Sequence, residues 1–566
     1  MTSHLHVQLI IDYLYKRGVQ HVVVCPGSRS APFVIALNSY TSIKKYVIAD
    51  ERSAGYFALG IAQQLRKPVV VICTSGTAVL NLAPAICEAY YQVLPIIAIT
   101  ADRPNEYFDI GDNQTIFQHE IFRNYIEMSL HFEPVKDVDE LLQQSAFMDT
   151  CFDYRNKYSA YPSHWNVHIP EPLYDIAGEE VPYYELKEVE TTIDFCLFST
   201  PQEPILYEWD TAKRIMIISG YEYFTAKELL RLKDITKQQN VVFISEHASN
   251  ILAHQKAVWN IDGMLAQIAP DQEKYFAPDL VITLGRQILS KKLKQFLRRN
   301  KPQRHYHISP PCESWDQFFL GEKSISFYVS YETLLNMVPY SFQADAVFKE
   351  RWDRLRSRTM LLTKEFLDNT QFSDLKAYEA IFANLPAGTH LQLGNSTPVR
   401  YAQFFNLPHN TKVNANRGTS GIDGCLSTAV GAAVVTKKLT VAILGDVSFF
   451  YDSNALWNNY LSQQLRIIVI NNGGGNIFRL LEGPDSVKDF EDYFETQHQL
   501  SAQHLAAMFG LHYYICHSQQ QLNETLPEFF QPKKKAAILE IKTNNIVSAA
   551  IYKQYFSFLK QQNNNV

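Results

Sequence analysis

Short apolar runs that break off at Gly, Asp or Asn, with helical stretches between them, recur from residue 19 almost to the end of the chain. Such runs are buried on both faces, and helical spacers force parallel connections, so the pattern specifies parallel sheets covered by helices. In the first set, VQHVVVCPG, KYVIAD, PVVVICTS and PIIAITAD alternate with the helix-like SAPFVIALNSY, RSAGYFALGIAQQLRK and AVLNLAPAICEAYYQVL. The pattern fades into an acidic connector near 180–210, then resumes with RIMIISG, VVFISEH, DLVITLG and HYHIS. A polar helical stretch, FKERWDRLRSRTMLLTKEF, leads to a third set: HLQLGNS, LTVAILGD, LRIIVINN and AAILEIKT. The 566 residues suit three or four domains at roughly 150 residues each. The expected class is α/β, with three doubly wound, mostly parallel-sheet domains over 1–185, 186–345 and 346–566. No short tandem repeat is visible, and this architecture alone fixes no chemistry.

Composition narrows the partners. A formal net charge of −6 gives no global positive field for nucleic acid or an anionic membrane, so any cationic site is local. The eight cysteines show no CxxC spacing, so a zinc site is not expected. Several, such as Cys73, sit in apolar runs where a thiol behaves as a small core residue, implying a reducing, cytoplasmic setting. The N-terminal stretch reads as an amphipathic helix with Leu9, Ile10 and Leu14 on one side, without a secretory pattern. No apolar run approaches the ~20 residues that span a bilayer, so the chain is expected to be soluble.

Two strand ends carry the strongest chemical signal. Gly445-Asp446 closes LTVAILGD, and Asn471-Asn472-Gly473-Gly474-Gly475 closes LRIIVINN. Ligands bind at the carboxyl ends of strands in open α/β sheets. Asp446 and Asn472, 26 positions apart, offer carboxylate and amide oxygens, the hard donors Mg²⁺ takes alongside phosphate and water. Glycine-rich backbone there admits a phosphate closely. Read alone, the same residues also fit ordinary turn asparagines.

The segment resembles the GDG…NN signature of thiamine-diphosphate enzymes. The resemblance implies that thiamine diphosphate and Mg²⁺, or Mn²⁺, are bound through Asp446, the Asn472 side chain and the Gly474 carbonyl. Val447 departs from the second glycine of that motif. Glu51 follows the strand KYVIAD and begins a helix, where a carboxylate interacts favourably with the dipole. In the family the similar glutamate bonds the cofactor's aminopyrimidine and promotes proton abstraction, so the resemblance makes Glu51 the catalytic residue. It further implies that Glu51 of one subunit faces the diphosphate site of another, in a homodimer or homotetramer. In GTSGIDGCLST, Ile422 takes the place of the apolar residue that props the cofactor. The first and third domains become the pyrimidine- and diphosphate/Mg-binding types; the middle one is Rossmann-like.

A wider set of segments is similar to one branch, the 2-succinyl-5-enolpyruvyl-6-hydroxy-3-cyclohexene-1-carboxylate synthases. These segments are CPGSRSAP, ICTSGTAVLN, TADRPNE, GDNQT, LGNSTPVR, NANRGTSGIDG and NNGGGNIF, with a looser LGRQILSKKLKQF in the middle. The branch joins the carbons of 2-oxoglutarate, after decarboxylation, to isochorismate by conjugate addition, a step of menaquinone biosynthesis. Both substrates are dicarboxylates, and arginine forks match carboxylates. Arg29, Arg103, Arg400 and Arg417 lie in loops beside strand ends, and Lys291 and Lys292 follow DLVITLG. Asn113 and Gln114 can donate hydrogen bonds to substrate or intermediate, Ser396 can reach a carboxylate or the diphosphate, and Phe478 and Leu481 suit either an apolar wall near the thiazolium or plain core packing. Taken singly, each arginine also reads as a surface ion-pair partner. Two other readings stay open: another thiamine-dependent enzyme, such as an acetohydroxyacid synthase or 2-oxo acid decarboxylase, and a non-catalytic nucleotide-binding protein. A nicotinamide dehydrogenase is disfavoured, because no strand runs into GxGxxG.

Overall fold

The structure, a computed structural model, describes residues 2–135, 137–153, 160–176, 183–186, 188, 203–222, 224–251, 259–308, 316–327, 331–338, 345–480, 483 and 487–562. Three sheets, parallel at every described pairing, follow one another along the chain. The first contains β1 (His21–Val24), β2 (Lys44–Val47), β3 (Val69–Cys73), β4 (Ile96–Asp102), β5 (Met128–Phe132) and β6 (Ser163–His168), ordered β2-β1-β3-β4-β6-β5. The second contains β7 (Ile215–Ser219), β8 (Val241–Ser245), β9 (Leu280–Leu284), β10 (Arg304–Ile308) and β11 (Ser324–Phe327), ordered β11-β10-β9-β7-β8. The third contains β12 (His390–Leu393), β13 (Lys412–Ala415), β14 (Thr440–Gly445), β15 (Leu465–Asn471), β16 (His512–Cys516) and β17 (Ala537–Lys542), ordered β13-β12-β14-β15-β17-β16. The first and third orders are the same once counted from the first strand of each sheet.

The apolar runs form the expected strands: all residues of β1, β3 and β4 are buried. Sequence reading omitted β5, β6, β11, β13 and β16, which are short or carry polar residues. β6, SHWNVH, is buried at all six positions; its His164 and Asn166 both bond to Thr100 on β4. Burying these groups is tolerated because each finds a partner. The N-terminal helix Leu5–Lys16 buries Leu9, Ile10 and Leu14 as expected, and also Val7, Ile11 and Tyr13.

One apolar cluster joins the first and third units, from Val71 and Ala98 through Ile61 and Leu426 to Val469 and Ile538. Helices Glu51–Leu65 and Cys425–Val435 meet there backbone to backbone. A Cβ on Gly60 would stand 2.0 Å from the Thr428 carbonyl oxygen, and one on Gly431 2.0 Å from that of Phe57. The middle sheet has a core on each face. Helix Ala346–Asp368 buries Phe348, Trp352 and Leu355 in one of these and Leu367 in the core of the third sheet.

In each sheet the chain reverses its direction of winding between two central strands: β1/β3, β7/β9 and β12/β14. Loops beyond those strands form the crevices where open α/β sheets bind ligands. The described cysteines are free thiols, all but Cys87 buried, and Cys196 and Cys312 lie outside the described residues. Among the described residues no helix is long and apolar enough to cross a membrane.

Candidate active site

Asp446 begins a short helix just past β14, at the reversal point of the third sheet. Its carboxylate is buried; one oxygen accepts the Gly473 and Gly474 N–H groups at 2.8 and 3.1 Å, and the other that of Val447 at 2.7 Å. Backbone of the next strand's loop is thereby pinned to it. Asn472 lies beyond the end of β15 and donates its amide N–H to Asp374 at 2.9 Å. That bond fixes the amide orientation, and Asn472 Oδ1 is left buried with no hydrogen-bond partner. A buried oxygen without a donor is costly unless something binds it. An oxygen pair of this kind beside glycine backbone fits a hard cation carrying phosphate. Gly474 is required by close approach, since a Cβ would stand 2.7 Å from the Glu495 carbonyl oxygen. Its own carbonyl accepts the Asn476 N–H at 2.9 Å, which leaves a second lone pair. His498 Nε2 stands 3.5 Å from Asp446.

A cleft of about 480 Å³ between the middle and third units is lined by Lys291, Lys292, Arg400, Asp262, Tyr552 and Phe556, among others. Ser290 caps the helix Lys291–Arg299 by accepting the Leu293 N–H, which sets both lysines on its first turn. Lys292 Nζ lies 3.4 Å over the Phe556 ring. Burial pulls the Arg400 and Arg417 guanidinium groups down from the usual arginine range. Arg400 donates to the carbonyl of Ser396, whose φ of 73° puts it in the left-handed region. Arg417 donates to Asn395 at 3.0 Å, and Asn395 itself holds the Asn416 and Gly421 carbonyls at 2.6 Å each. Ile422 follows in the same loop, its carbonyl accepting the Ser448 hydroxyl at 2.8 Å. Phe478, half-buried, packs edge-on against Phe494; Leu481 lies outside the described residues.

The remaining expected residues gather on the first unit. Asp50 caps the helix Glu51–Leu65 by accepting the Ser53 N–H at 3.2 Å. Glu51 is therefore spared from capping, and its carboxylate accepts Asn81 Nδ2 at 3.3 Å. Arg29, beyond β1, is buried, with Glu171 at 3.0 Å and the Ile169 carbonyl at 2.7 Å. Arg103, beyond β4, pairs with Asp112 at 2.6 Å. Asn113 and Gln114 follow on an exposed loop, where Gln114 has φ 56°.

The chain matches two family descriptions: "Thiamine pyrophosphate enzyme, N-terminal TPP binding domain" over residues 6–128 and "Thiamine pyrophosphate enzyme, C-terminal TPP binding domain" over 394–541. It is also 36% identical to 2-succinyl-5-enolpyruvyl-6-hydroxy-3-cyclohexene-1-carboxylate synthase of Flavobacterium johnsoniae, over 98% of each chain. Proteins of the same description from Flavobacterium psychrophilum and Porphyromonas gingivalis are 37% and 34% identical, over 98% of this chain and 98% and 97% of theirs. This chain belongs to the 2-succinyl-5-enolpyruvyl-6-hydroxy-3-cyclohexene-1-carboxylate synthase family. It carries both thiamine-diphosphate-binding domains of that family.

In this family member the structure adds supporting residues that sequence reading did not single out. Glu88, fully buried on the helix Ala83–Gln92, accepts the Gly418 N–H and the Thr419 N–H and hydroxyl, each at 2.6 Å, and so holds the loop of Arg417 and Ile422 from the first unit. Burial raises its carboxyl above the usual range against those bonds. Glu246 accepts the Leu289 and Ser290 N–H groups at 2.7 and 2.8 Å, under the lysine-bearing helix. Asp374 accepts hydrogen bonds from Asn472, Asn476, Thr543 and Ser548. No local motif marks these acids; only their distant partners do.

Proposed function

We propose that this chain decarboxylates 2-oxoglutarate with thiamine diphosphate and adds the remaining four-carbon unit to isochorismate, giving 2-succinyl-5-enolpyruvyl-6-hydroxy-3-cyclohexene-1-carboxylate and CO₂ for menaquinone biosynthesis. The observation that carries it is the conjunction of Asp446 and the unpartnered Asn472 Oδ1 with a cleft lined by Lys291, Lys292 and Arg400. An oxygen pair suits a metal diphosphate, and clustered cations suit two dicarboxylates; neither alone specifies the reaction.

Bound thiamine diphosphate supplies a nucleophilic carbon and an electron sink for decarboxylation. Asp446, Asn472 and the Gly474 carbonyl would hold Mg²⁺ or Mn²⁺ on the diphosphate, with Ile422 and Phe478 as apolar support. Glu51 would share a proton with the pyrimidine ring nitrogen, the general acid–base role its release from helix capping permits. Arg29, Arg103, Arg400, Arg417, Lys291 and Lys292 would bind and orient the carboxylates, excluding water from the reacting carbon. Asn113, Gln114 and Ser396 would add hydrogen bonds, and Leu481 an apolar wall. The site residues fall into two groups, Glu51 with Arg29 and Arg103 on the first unit, the metal ligands and remaining cations on the other two. The family resemblance supports a homodimer or homotetramer in which one subunit's Glu51 faces another's diphosphate site.

The test combines protein, thiamine diphosphate, Mg²⁺, 2-oxoglutarate and isochorismate, and follows isochorismate loss with product mass. A cofactor-dependent adduct of isochorismate and a succinyl-semialdehyde unit is expected. Release of succinic semialdehyde with isochorismate untouched would remove the acceptor from the reading.

A further inference from the structure

His131 and Glu133 lie at the end of edge strand β5, and His168 closes its parallel neighbour β6. The register pairs His131 with Asn166 and Phe132 with Val167, so the next step along brings Glu133 beside His168. Side chains alternate along a strand, so His131 and Glu133 project from one face. His131 Nε2 and His168 Nδ1 each stand 3.1 Å from Glu133 Oε1. One ligand atom from each of the three residues fits within a mutual separation of 4.8 Å. A tetrahedral ion bound at 2.0–2.1 Å separates its ligands by about 3.3 Å. Two of the three separations are close to that; both are hydrogen bonds to Glu133 in the structure, and an ion would take the place of the shared protons.

We propose that His131, Glu133 and His168 form a site for a divalent transition-metal ion of the zinc class, apart from the Asp446 site. Two imidazoles and one carboxylate are a familiar three-ligand set for zinc, with water in the fourth position. Glu133 and His131 are partly exposed, which gives the ion entry and leaves room for that water.

The surroundings of His168 are built for the role. Its other nitrogen, Nε2, faces Asp102 Oδ2 at 3.4 Å, and both side chains are buried. A carboxylate behind a ligating histidine fixes the tautomer and raises the ring's basicity. Asp102 is itself held, with Oδ2 accepting Asn166 Nδ2 at 2.7 Å and Oδ1 accepting the Arg103 N–H at 2.8 Å. His131 is less well served. Asn166 Nδ2, a donor, stands 3.4 Å from its Nδ1 and favours the tautomer with the proton on the ligating nitrogen. That opposition makes His131 the weakest ligand of the three. Through Asp102 an occupied site also braces the loop of Arg103; this link, unlike the binding itself, rests on the proposed function.

The experiment titrates Co²⁺, as a spectroscopic zinc probe, and then Zn²⁺ itself, into protein saturated with thiamine diphosphate and Mg²⁺. Expected are one ion per chain, visible d–d bands of a four- or five-coordinate nitrogen–oxygen site, and displacement of Co²⁺ by Zn²⁺. His131→Ala and Glu133→Gln, both at partly exposed positions, should each weaken binding by roughly tenfold or more. The proposal is overturned by no binding below about 1 mM, by either variant keeping wild-type affinity, or by near-ultraviolet thiolate charge-transfer bands that assign the ion to cysteine.

Discussion

Glu88 Oε1 accepts the main-chain N–H of Gly418 at 2.6 Å, although the two residues belong to different sheets and lie 330 positions apart. Glu88 is fully buried, and its second oxygen takes the N–H and hydroxyl of Thr419. Truncation to alanine strands buried donors, each worth about 1–3 kcal/mol when left unpaired. Glu88→Ala is expected to lower the urea midpoint and, because Arg417 rides on that loop, to raise KM for 2-oxoglutarate. A drop in stability with unchanged KM would confine Glu88 to a structural role.

The Gly60–Thr428 contact predicts a second effect. Gly60→Ala places a Cβ 2.0 Å from a carbonyl oxygen on the facing helix, so the helices must separate. Overpacking of this kind costs about 1–3 kcal/mol, occasionally more. A shift in thermal midpoint compared with an alanine substitution at exposed Gly18, which has open space but a φ of +80°, separates packing from backbone strain.

Glu51→Gln keeps the size of the side chain and removes its proton chemistry. The expected loss is about 10²–10⁴-fold in kcat, with thiamine diphosphate still bound, read by steady-state kinetics and a cofactor titration. Unimpaired turnover would remove Glu51 from the mechanism.

Arg417 is half-buried and bonded to Asn395, so its guanidinium is placed before any substrate arrives. Charge-assisted hydrogen bonds are worth about 1.5–3 kcal/mol, which converts to roughly 10- to 150-fold. Arg417→Ala should raise KM for a dicarboxylate substrate by that factor. Lysine should restore only part of it, since it lacks the two-pronged geometry.

Glu246 sets a pH dependence. Burial pushes its carboxyl up to about 7, against the Leu289 and Ser290 N–H groups and the Arg417 charge, which pull it down. The folded value thus exceeds that of an unfolded glutamate, about 4.3. Its contribution to stability is fully present below the unfolded value and is lost as pH rises toward 7. Urea midpoints for Glu246→Gln across pH 5–8 should show a flatter decline over this window than those of the wild type.

The apolar runs of the chain specify most strands of the three sheets and the polar residues at their ends. A run such as VVVIC is apolar at every position because both faces are covered, and Asp446 and Asn472 end such runs, so they were legible from composition and spacing. Only the tertiary structure decides the strands whose sequences are polar, one of them, β6, inside its sheet. β5, β6, β13 and β16 carry His, Asn or Lys, and their polarity imitates loop until cross-strand partners such as Thr100 with Asn166 appear. The shared strand order of the first and third sheets was equally hidden, because backbone pairing repeats without any repeat of side chains. So were Glu88, Asp374 and Glu246, which hold the site through partners up to hundreds of residues away. A buried acid acquires its meaning from the donors that fold against it, and the chain's local order does not contain them.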